Sequence, residues 1–434
     1  MIEHLKLANV GPAPDMGLDF ARRVNLFTGD NGLGKSFILD MVWWALTRKW
    51  PAEVNSGMTS GYPARPHDPK TAATIAFSVR GRSGSVAWAA SFSRRQQIWQ
   101  GTPGRPANPG IVVYAHADGS ISVWDPARNY WSQPGDPVLK ERRPAYVFTE
   151  AEVWDGLRDT VDGRSVPVCN GLLYDWSRWI QAGDDNARGM ASALRALSPG
   201  KASNEAIVPG SPMRLSVEDA RDIPSIVTDY TGQVPIIHAS SGIRRIVALA
   251  YVVTWTWSEH RIASKLRGDE PSRNVVLLFD EVESHLHPRW QRTILKALRD
   301  VGSVLDGSVD VQLVVSTHSP LILASTEPWF DPGQDAWFDL DVEGNPPRAH
   351  LHRRTYTPHG TTGSWLTSEA FDLATDRSLE AEQAVLHARA ILQQQAPPLQ
   401  QVMAVHDELR AMLPDVDRFW VRWNAFVESR GGSP

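Results

Sequence analysis

The alternation of hydrophobic and polar positions changes rhythm several times along this chain, and each change marks an element. Apolar residues alternate with polar ones from Ile2 to Val10, and a compact apolar run from Val24 to Thr28 follows; both read as short strands. From Gly34 to Arg48 the spacing turns helical, with Phe37, Met41, Trp44 and Ala45 three or four residues apart, and Pro51 stops it. Residues 51–72 are rich in Pro, Gly and Ser and are expected to form a surface loop. Between Thr74 and Ser132, short alternating runs separated by turn residues predict an antiparallel β region with hairpins, interrupted by a second loop from Gly101 to Gly110. The stretch from Thr149 to Leu197 reads as helical, anchored by Trp154, Leu157, Trp176, Trp179 and Ile180. A loop from Ser198 to Pro212 then precedes an amphipathic helix expected over Gly242 to Ser258. A strand (Val275 to Phe279), a helix (Pro288 to Val301) and a second strand (Val311 to Ser316) come next. The last segment predicts helices over Leu379 to Gln395, Gln400 to Leu413 and Asp415 to Ser429, the middle one carrying a stripe of Val402, Val405, Leu409 and Met412. No repeat of 20–50 residues and no sustained heptad pattern is present.

Composition narrows this picture. At 434 residues the chain exceeds one compact domain, so two or more lobes are expected. Its 42% hydrophobic and 21% charged residues exclude a disordered, collagen-like or mainly coiled-coil protein. A net charge of −5 gives no global case for nucleic acid, while leaving a local basic groove open. The single cysteine, Cys169, excludes a disulfide framework and a CxxC metal site. It fits a reducing compartment, and the first ten residues lack the pattern of a secretory signal, so a cytoplasmic protein is expected. The longest apolar run, Ile246 to Trp257, is too short to span a bilayer, and no membrane association is expected. Arginine outnumbers lysine 36 to 8, and the 18 tryptophans exceed ordinary usage.

Three segments carry chemistry. Gly29-Asp30-Asn31-Gly32-Leu33-Gly34-Lys35-Ser36 fits GxxxxGK[ST], with an apolar strand before it and a helix after it. The glycines let successive N–H groups curl around phosphate oxygens, and the helix N-terminus adds a favourable field. Lys35 is placed to reach the β- and γ-phosphates of ATP, and the Ser36 hydroxyl to hold Mg²⁺. The run Val275 to Phe279 ends in Asp280 and Glu281, as a buried parallel strand ends at a site. Asp280 is expected to hold the Mg²⁺ shell opposite Ser36, and Glu281 to polarise the attacking water. The strand Val311 to Ser316 leads to Thr317-His318-Ser319-Pro320, where a neutral His318 imidazole could bond the γ-phosphate or that water.

These segments resemble the ATP-binding-cassette and SMC-like branch of P-loop ATPases, in particular bacterial stand-alone AAA-type ATPases related to the overcoming-lysogenization-defect and RecF-like proteins. The stretch His238-Ala239-Ser240-Ser241-Gly242-Ile243-Arg244-Arg245 resembles that branch's signature motif, with Ile243 where Gln or Glu is usual. The resemblance implies that Ser240 and Gly242 cap the γ-phosphate held by a second subunit. Asp280 to Pro288 resembles the DEPExxLHP run, whose later residues form a dimer-facing loop, and Thr317 to Pro320 resembles the switch-histidine motif. Gln97 and Gln181 are the candidates for the family's glutamine lever. About 205 residues separate the P-loop from the signature without heptads, unlike true SMC and Rad50 chains. Asp339 and Asp341 read as a solvated turn, and His350 and His352 as surface positions of a probable strand, so no nuclease site is visible.

The expected architecture is therefore α/β: a P-loop NTPase of ABC-ATPase type, a mixed sheet with flanking helices, with an antiparallel β region, a helical insert and a helical C-terminal tail. Its expected parts are residues 1–150 with the P-loop and the antiparallel region, a helical insert over 151–235, the signature, Walker B and switch-histidine part over 236–325, and a mostly helical region over 326–434. The implied activity is ATP hydrolysis in a homodimer closed around two MgATP, regulating a separate effector, a nuclease or toxin, in anti-phage defence or DNA repair. Two alternatives stay open. One is a RecF-like DNA clamp using Arg244, Arg245, Arg261, Arg289 and Arg292. The other is a nucleotide-binding switch with negligible hydrolysis.

Overall fold

The computed structural model describes residues 1–81, 84–102, 107–129, 143–161, 163–200, 206–228, 232–345 and 347–433. Among these, residues Met1–Gly360 form one compact unit and Thr361–Pro434 a second. The first unit is organised by an eight-stranded sheet in the order β18-β17-β3-β16-β15-β7-β8-β9. Its strands are β3 (Val24–Gly29), β7 (Ile111–Ala115), β8 (Ile121–Trp124), β9 (Tyr146–Phe148), β15 (Asn274–Phe279), β16 (Asp310–Ser316), β17 (Asp335–Glu343) and β18 (Arg348–Arg354). The five central strands, β17, β3, β16, β15 and β7, pair in parallel. Antiparallel pairs close both sides, β18 on β17 and β8–β9 beyond β7. The central strands read as continuous apolar runs because both of their faces are covered.

A second, five-stranded antiparallel sheet has the order β2-β1-β4-β5-β6, from β1 (Ile2–Ala8), β2 (Asp15–Asp19), β4 (Thr74–Gly81), β5 (Gly84–Ser93) and β6 (Ile98–Gly101). Helix α1 (Lys35–Thr47) packs against β1 and against β3, β7, β15 and β16, and is buried all round, from Ile38 and Leu39 to Trp43 and Leu46. One apolar cluster joins β1, β2, β4 and α1 to the inner face of the large sheet. The expected loop at 51–72 contains a short helix, α2 (Pro51–Val54). The expected antiparallel region is divided between the two sheets: β4 to β6 stay in the smaller one, while β7 and β8 join the larger one.

Between the sheets' strands in sequence come α3 (Glu150–Asp155), a hairpin of β10 (Leu157–Val161) and β11 (Arg164–Cys169), α4 (Leu172–Ala182) and α5 (Asp185–Leu197). A three-stranded sheet of β12 (Val208–Met213), β13 (Ile223–Thr228) and β14 (Gly232–Pro235) follows. The stretch expected to be helical from Thr149 to Leu197 thus includes a hairpin, and β12 occupies part of the expected loop from Ser198. Helix α6 runs from Ser241 to Arg267, nine residues beyond the expected end, and stops at Gly268 in the left-handed region. The helix expected over Pro288 to Val301 is broken into α7 (Pro288–Gln291), α8 (Ile294–Arg299) and α9 (Val301–Leu305). Helix α10 (Pro320–Thr326) starts at the Ser319 cap.

The largest departure is the hairpin of β17 and β18. The region after 325 was expected to be mostly helical, yet β17 lies directly beside the P-loop strand β3, pairing Asp335 with Val24 through Leu340 with Gly29. Asp339 is correspondingly not in a solvated turn. It is buried, accepts a 2.7 Å hydrogen bond from the Thr28 hydroxyl and faces the Arg354 guanidinium at 3.1 Å. His350 and His352 do lie on a strand, β18, with His352 2.8 Å from Glu343.

The second unit contains α11 (Thr362–Leu366) and helices α12 (Leu379–Leu392), α13 (Leu399–Met412) and α14 (Phe419–Ser429). Val385, Ala388, Val402, Leu409, Trp423 and Val427 form its core, while Met412 of the expected stripe is 48% exposed. Arg377 holds Asp417 through two hydrogen bonds, of 2.9 and 2.8 Å.

Candidate nucleotide site

The parallel strands all deliver their carboxyl ends to one edge of the sheet, where ligands of open α/β sheets bind. Gly29 closes β3 at φ 124°, Gly32 and Gly34 take φ 83° and 103°, and α1 begins at Lys35. A Cβ on Gly29 would lie 2.2 Å from the Leu340 carbonyl oxygen, and one on Gly34 would lie 2.6 Å from Pro12 Cγ, whereas Gly32 faces open space. No side chain caps the first turn of α1 and no acid sits in it, so its field is uncompensated for an anion. Lys35 is buried, its ammonium donating to the carbonyls of Gly29 (2.7 Å) and Asp30 (2.8 Å). Burial lowers the Lys35 pKa, against the opposing pull of Asp280, Asp30, Glu281 and Glu283.

On the far side of β16, Asp280 follows β15 and is 4% exposed. Ser316 Oγ donates to its carboxylate at 2.6 Å, and Ser36 also lies within hydrogen-bonding reach of it. Burial raises the Asp280 pKa; the hydrogen bonds from Ser316 and Ser36 favour the anion. Glu281 takes a left-handed backbone (φ 48°), its N–H donating to Ser316 Oγ at 2.8 Å and its carboxylate accepting from Ser284 Oγ at 2.9 Å. Glu283 receives the Thr317 hydroxyl (2.7 Å) and the His318 N–H (2.5 Å), so it fixes the end of β16. The half-buried His318 ring is kept toward its neutral form, first by burial and then by Lys35, with Glu283, Glu281 and Asp280 opposing. Lys35, Ser36, Asp280, Glu281 and His318 therefore share one electrostatic neighbourhood. Ser36 and Asp280 lie together and offer one hydroxyl and one carboxylate, groups of the kind that can hold a phosphate-bound Mg²⁺.

Two family models match this chain. One, described as an AAA domain, covers residues 4–98, and the other, described as an AAA domain, putative AbiEii toxin, Type IV TA system, covers residues 174–324. Between them they take in the P-loop, Walker B and switch-histidine segments. The two matches mark AAA-type P-loop ATPase domains within this chain. Among curated relatives, the ATPase is 40% identical over 50 residues to the retron Vc95 probable ATPase of Vibrio cholerae serotype O1 biovar El Tor. That match spans 12% of this chain and 9% of the relative. Among solved structures, the SMC head domain from Thermotoga maritima aligns at 14% identity and TM-score 0.39, over 82% of this chain and 99% of that one. An SmcHead bound to the C-winged helix domain of ScpA aligns at 14% identity and TM-score 0.43, over 81% and 97%. The sheet order and strand directions above, rather than these superpositions, carry the fold assignment. No helix among the ATPase's described residues is long and apolar enough to cross a membrane.

Other expected positions lie elsewhere in the ATPase. Ser240 caps α6 by accepting from Ile243 N–H, and Gly242 packs on the loop after Glu281, where a Cβ would lie 2.5 Å from the His285 carbonyl oxygen. Gln97 sits in the exposed β5–β6 turn, bonded to Arg65, and Gln181 pairs with Asp222, so neither joins the P-loop cluster. The end of β7, beside Walker B, instead carries His116, buried between Ser60 and Ser122 and lowered to about 4 by that burial. Sequence reasoning missed Asp40, one turn after Ser36 on α1. Burial pushes its carboxyl up to about 7, although Tyr114 donates to it at 3.1 Å. Only its i+4 spacing from Ser36 could have drawn attention to it.

Proposed function

We propose that this chain binds MgATP at the P-loop, hydrolyses it in a head-to-tail dimer, and uses the cycle to control a separate effector protein. Backbone N–H groups from Gly29 to Ser36 and the Lys35 ammonium would hold the phosphates. Ser36 and Asp280 would hold Mg²⁺, which when bound screens the charge of the β- and γ-phosphates. Glu281 would orient and polarise the attacking water, and His318 would hold the γ-phosphate end of that geometry through a neutral ring nitrogen. Ser240 of the partner subunit and Gly242 of the partner subunit would supply the helix N-terminus that completes each site. The observation that carries this reading is the approach of Ser36 to Asp280, with Lys35 buried beside them and Glu281 one residue further on.

The match to a retron ATPase and to a model named for a toxin–antitoxin system supports a role beside a nuclease or toxin in anti-phage defence. The DNA-clamp alternative needs Arg244 and Arg245 at a surface. The Arg245 guanidinium is engaged by three backbone carbonyls, which favours the first reading, whereas Arg244, over the Trp154 ring at 4.7 Å, keeps 40% of its side chain exposed. Gel filtration with ATP is the test: Glu281→Gln is expected to run as a dimer only with ATP, and Lys35→Ala to release no phosphate. A Glu281→Gln protein that stays monomeric at saturating ATP would remove the sandwich.

A further inference from the structure

The turn after β15 holds two residues, Glu281 and His285, in left-handed backbone that a non-glycine residue adopts at a cost of about 1–2 kcal/mol each. Both are gripped by the first turns of α6. Gly242 lets the helix approach so closely that any side chain there would strike the His285 carbonyl. One turn on, Arg245 spreads its guanidinium across three carbonyl oxygens: Ala117 at 3.1 Å, Asp280 at 3.2 Å and Glu281 at 3.3 Å. Its charge sits among Glu283, Glu281, Asp280 and Asp118, and its contacts reach the β7–β8 turn as well as Walker B. Beside this grip lies a cavity of about 180 Å³, lined by Ala117, Trp154, Arg245, Val282 and Leu286. The turn is thus held by hydrogen bonds, by the close approach of Gly242 and by the buried side chains of Val282 and Leu286, and the cavity beside it leaves room for a small shift if the grip changes.

We propose that Arg245 is a positioning residue that sets the backbone of Asp280 and Glu281 in its own chain, so that contact made by its helix N-terminus on the partner's nucleotide adjusts the carboxylate that acts in its own site. This rests on the head-to-tail reading above. Arginine is suited to the task because its planar fork spans several acceptors at once, which a lysine ammonium on a single stem does not. A displacement of Glu281 by about 1 Å is enough to cost on the order of 100-fold in rate while leaving the phosphates' own contacts intact.

The experiment measures kcat and KM for ATP, together with ATP-dependent dimerisation, in Arg245→Ala and Arg245→Lys, with melting temperature as the check of folding. Both variants are expected to lose about 10–100-fold in kcat with KM changed less than about 3-fold. In the Glu281→Gln background, Arg245→Ala is expected to dimerise at the same ATP concentration as Glu281→Gln alone. If Arg245→Ala does not fold, Arg245→Lys, which keeps a cation in the same pocket, decides alone. Unchanged kcat in a folded variant overturns the inference. So does loss of the ATP-dependent dimer on adding Arg245→Ala, which would place the residue in the intersubunit contact. Failure of Glu281→Gln itself to dimerise is a different result, and it sinks the head-to-tail reading.

Discussion

Substituting Gly29 and Gly32 by alanine separates what the P-loop glycines do for the fold from what they do for phosphate. Both residues have positive φ, so alanine costs about 1–2 kcal/mol of backbone strain at either position. Only at Gly29 does the added Cβ meet a wall, 2.2 Å from the Leu340 carbonyl oxygen; around Gly32 the space is open. Relieving that overlap means parting β3 from β17 by about 1 Å, an overpacking cost of about 1–3 kcal/mol on top of the strain. Gly29→Ala is therefore expected to lose about 3–4 kcal/mol and Gly32→Ala about 1–2 kcal/mol. At roughly 2 °C per kcal/mol for a unit of this size, nucleotide-free Gly29→Ala should melt about 2–6 °C below Gly32→Ala. Differential scanning calorimetry without ATP reads this directly, and a titration with a fluorescent ATP analogue should show that both variants bind weakly. Equal melting temperatures for the two variants would refute the steric account of Gly29 and, with it, the close seating of β17 on the P-loop.

Asp40 makes stability pH-dependent. Its carboxyl moves from an ordinary 3.8 to about 7 on folding, so the native state holds the proton more tightly. The stability this contributes is complete below about pH 4 and is lost as pH rises through 7, at most about 4 kcal/mol. Asp40→Asn should therefore be more stable than the parent at pH 8 and flatten the pH profile of urea midpoints; a parallel profile in the two proteins would contradict this. Cys169 is buried against the Tyr251 hydroxyl at 3.1 Å, and burial pushes its thiol up to about 11. A thiol reagent at pH 7.5 should leave it untouched in the native protein and label one equivalent after unfolding; rapid native labelling would show the thiol to be accessible.

The P-loop strand and helix, the Walker B strand and the switch strand were legible because each combines an apolar run with a fixed polar terminus, and their meeting follows from parallel pairing. Of the hairpin β17–β18, the strand through His350 and His352 was legible, but β17 was not. Asp339 and Asp341 make its sequence look solvated, and what permits a buried carboxylate there, the Thr28 hydroxyl and the Arg354 guanidinium, is visible only once β17 lies beside β3. Hairpin β10–β11 was missed for the opposite reason. Arg164 to Pro167 are all exposed, so neither face carries an apolar alternation to detect. Helix α6 outran its expected end because its last turns are partly exposed, although Gly268 marked the true stop. The tryptophan excess is largely core: Trp43, Trp176, Trp179, Trp337, Trp365 and Trp423 are fully buried. Arg245 and Glu283 were in view as motif letters, and only their hydrogen bonds reveal what they hold.

The position of β3 between β16 and β17 also bears on how the protein is made. The P-loop strand is synthesised well before its two neighbours in the sheet, which begin only at Asp310 and Asp335. Contacts this distant in sequence form late and slowly, because the intervening chain must first be brought together. During synthesis the N-terminal hairpin β1–β2 and α1 can associate locally, but Gly29 has no Leu340 carbonyl to close against until β17 arrives. A chain halted before Asp335 carries the P-loop sequence without the sheet that shapes it, so nucleotide binding can report that nearly the whole first unit has been completed.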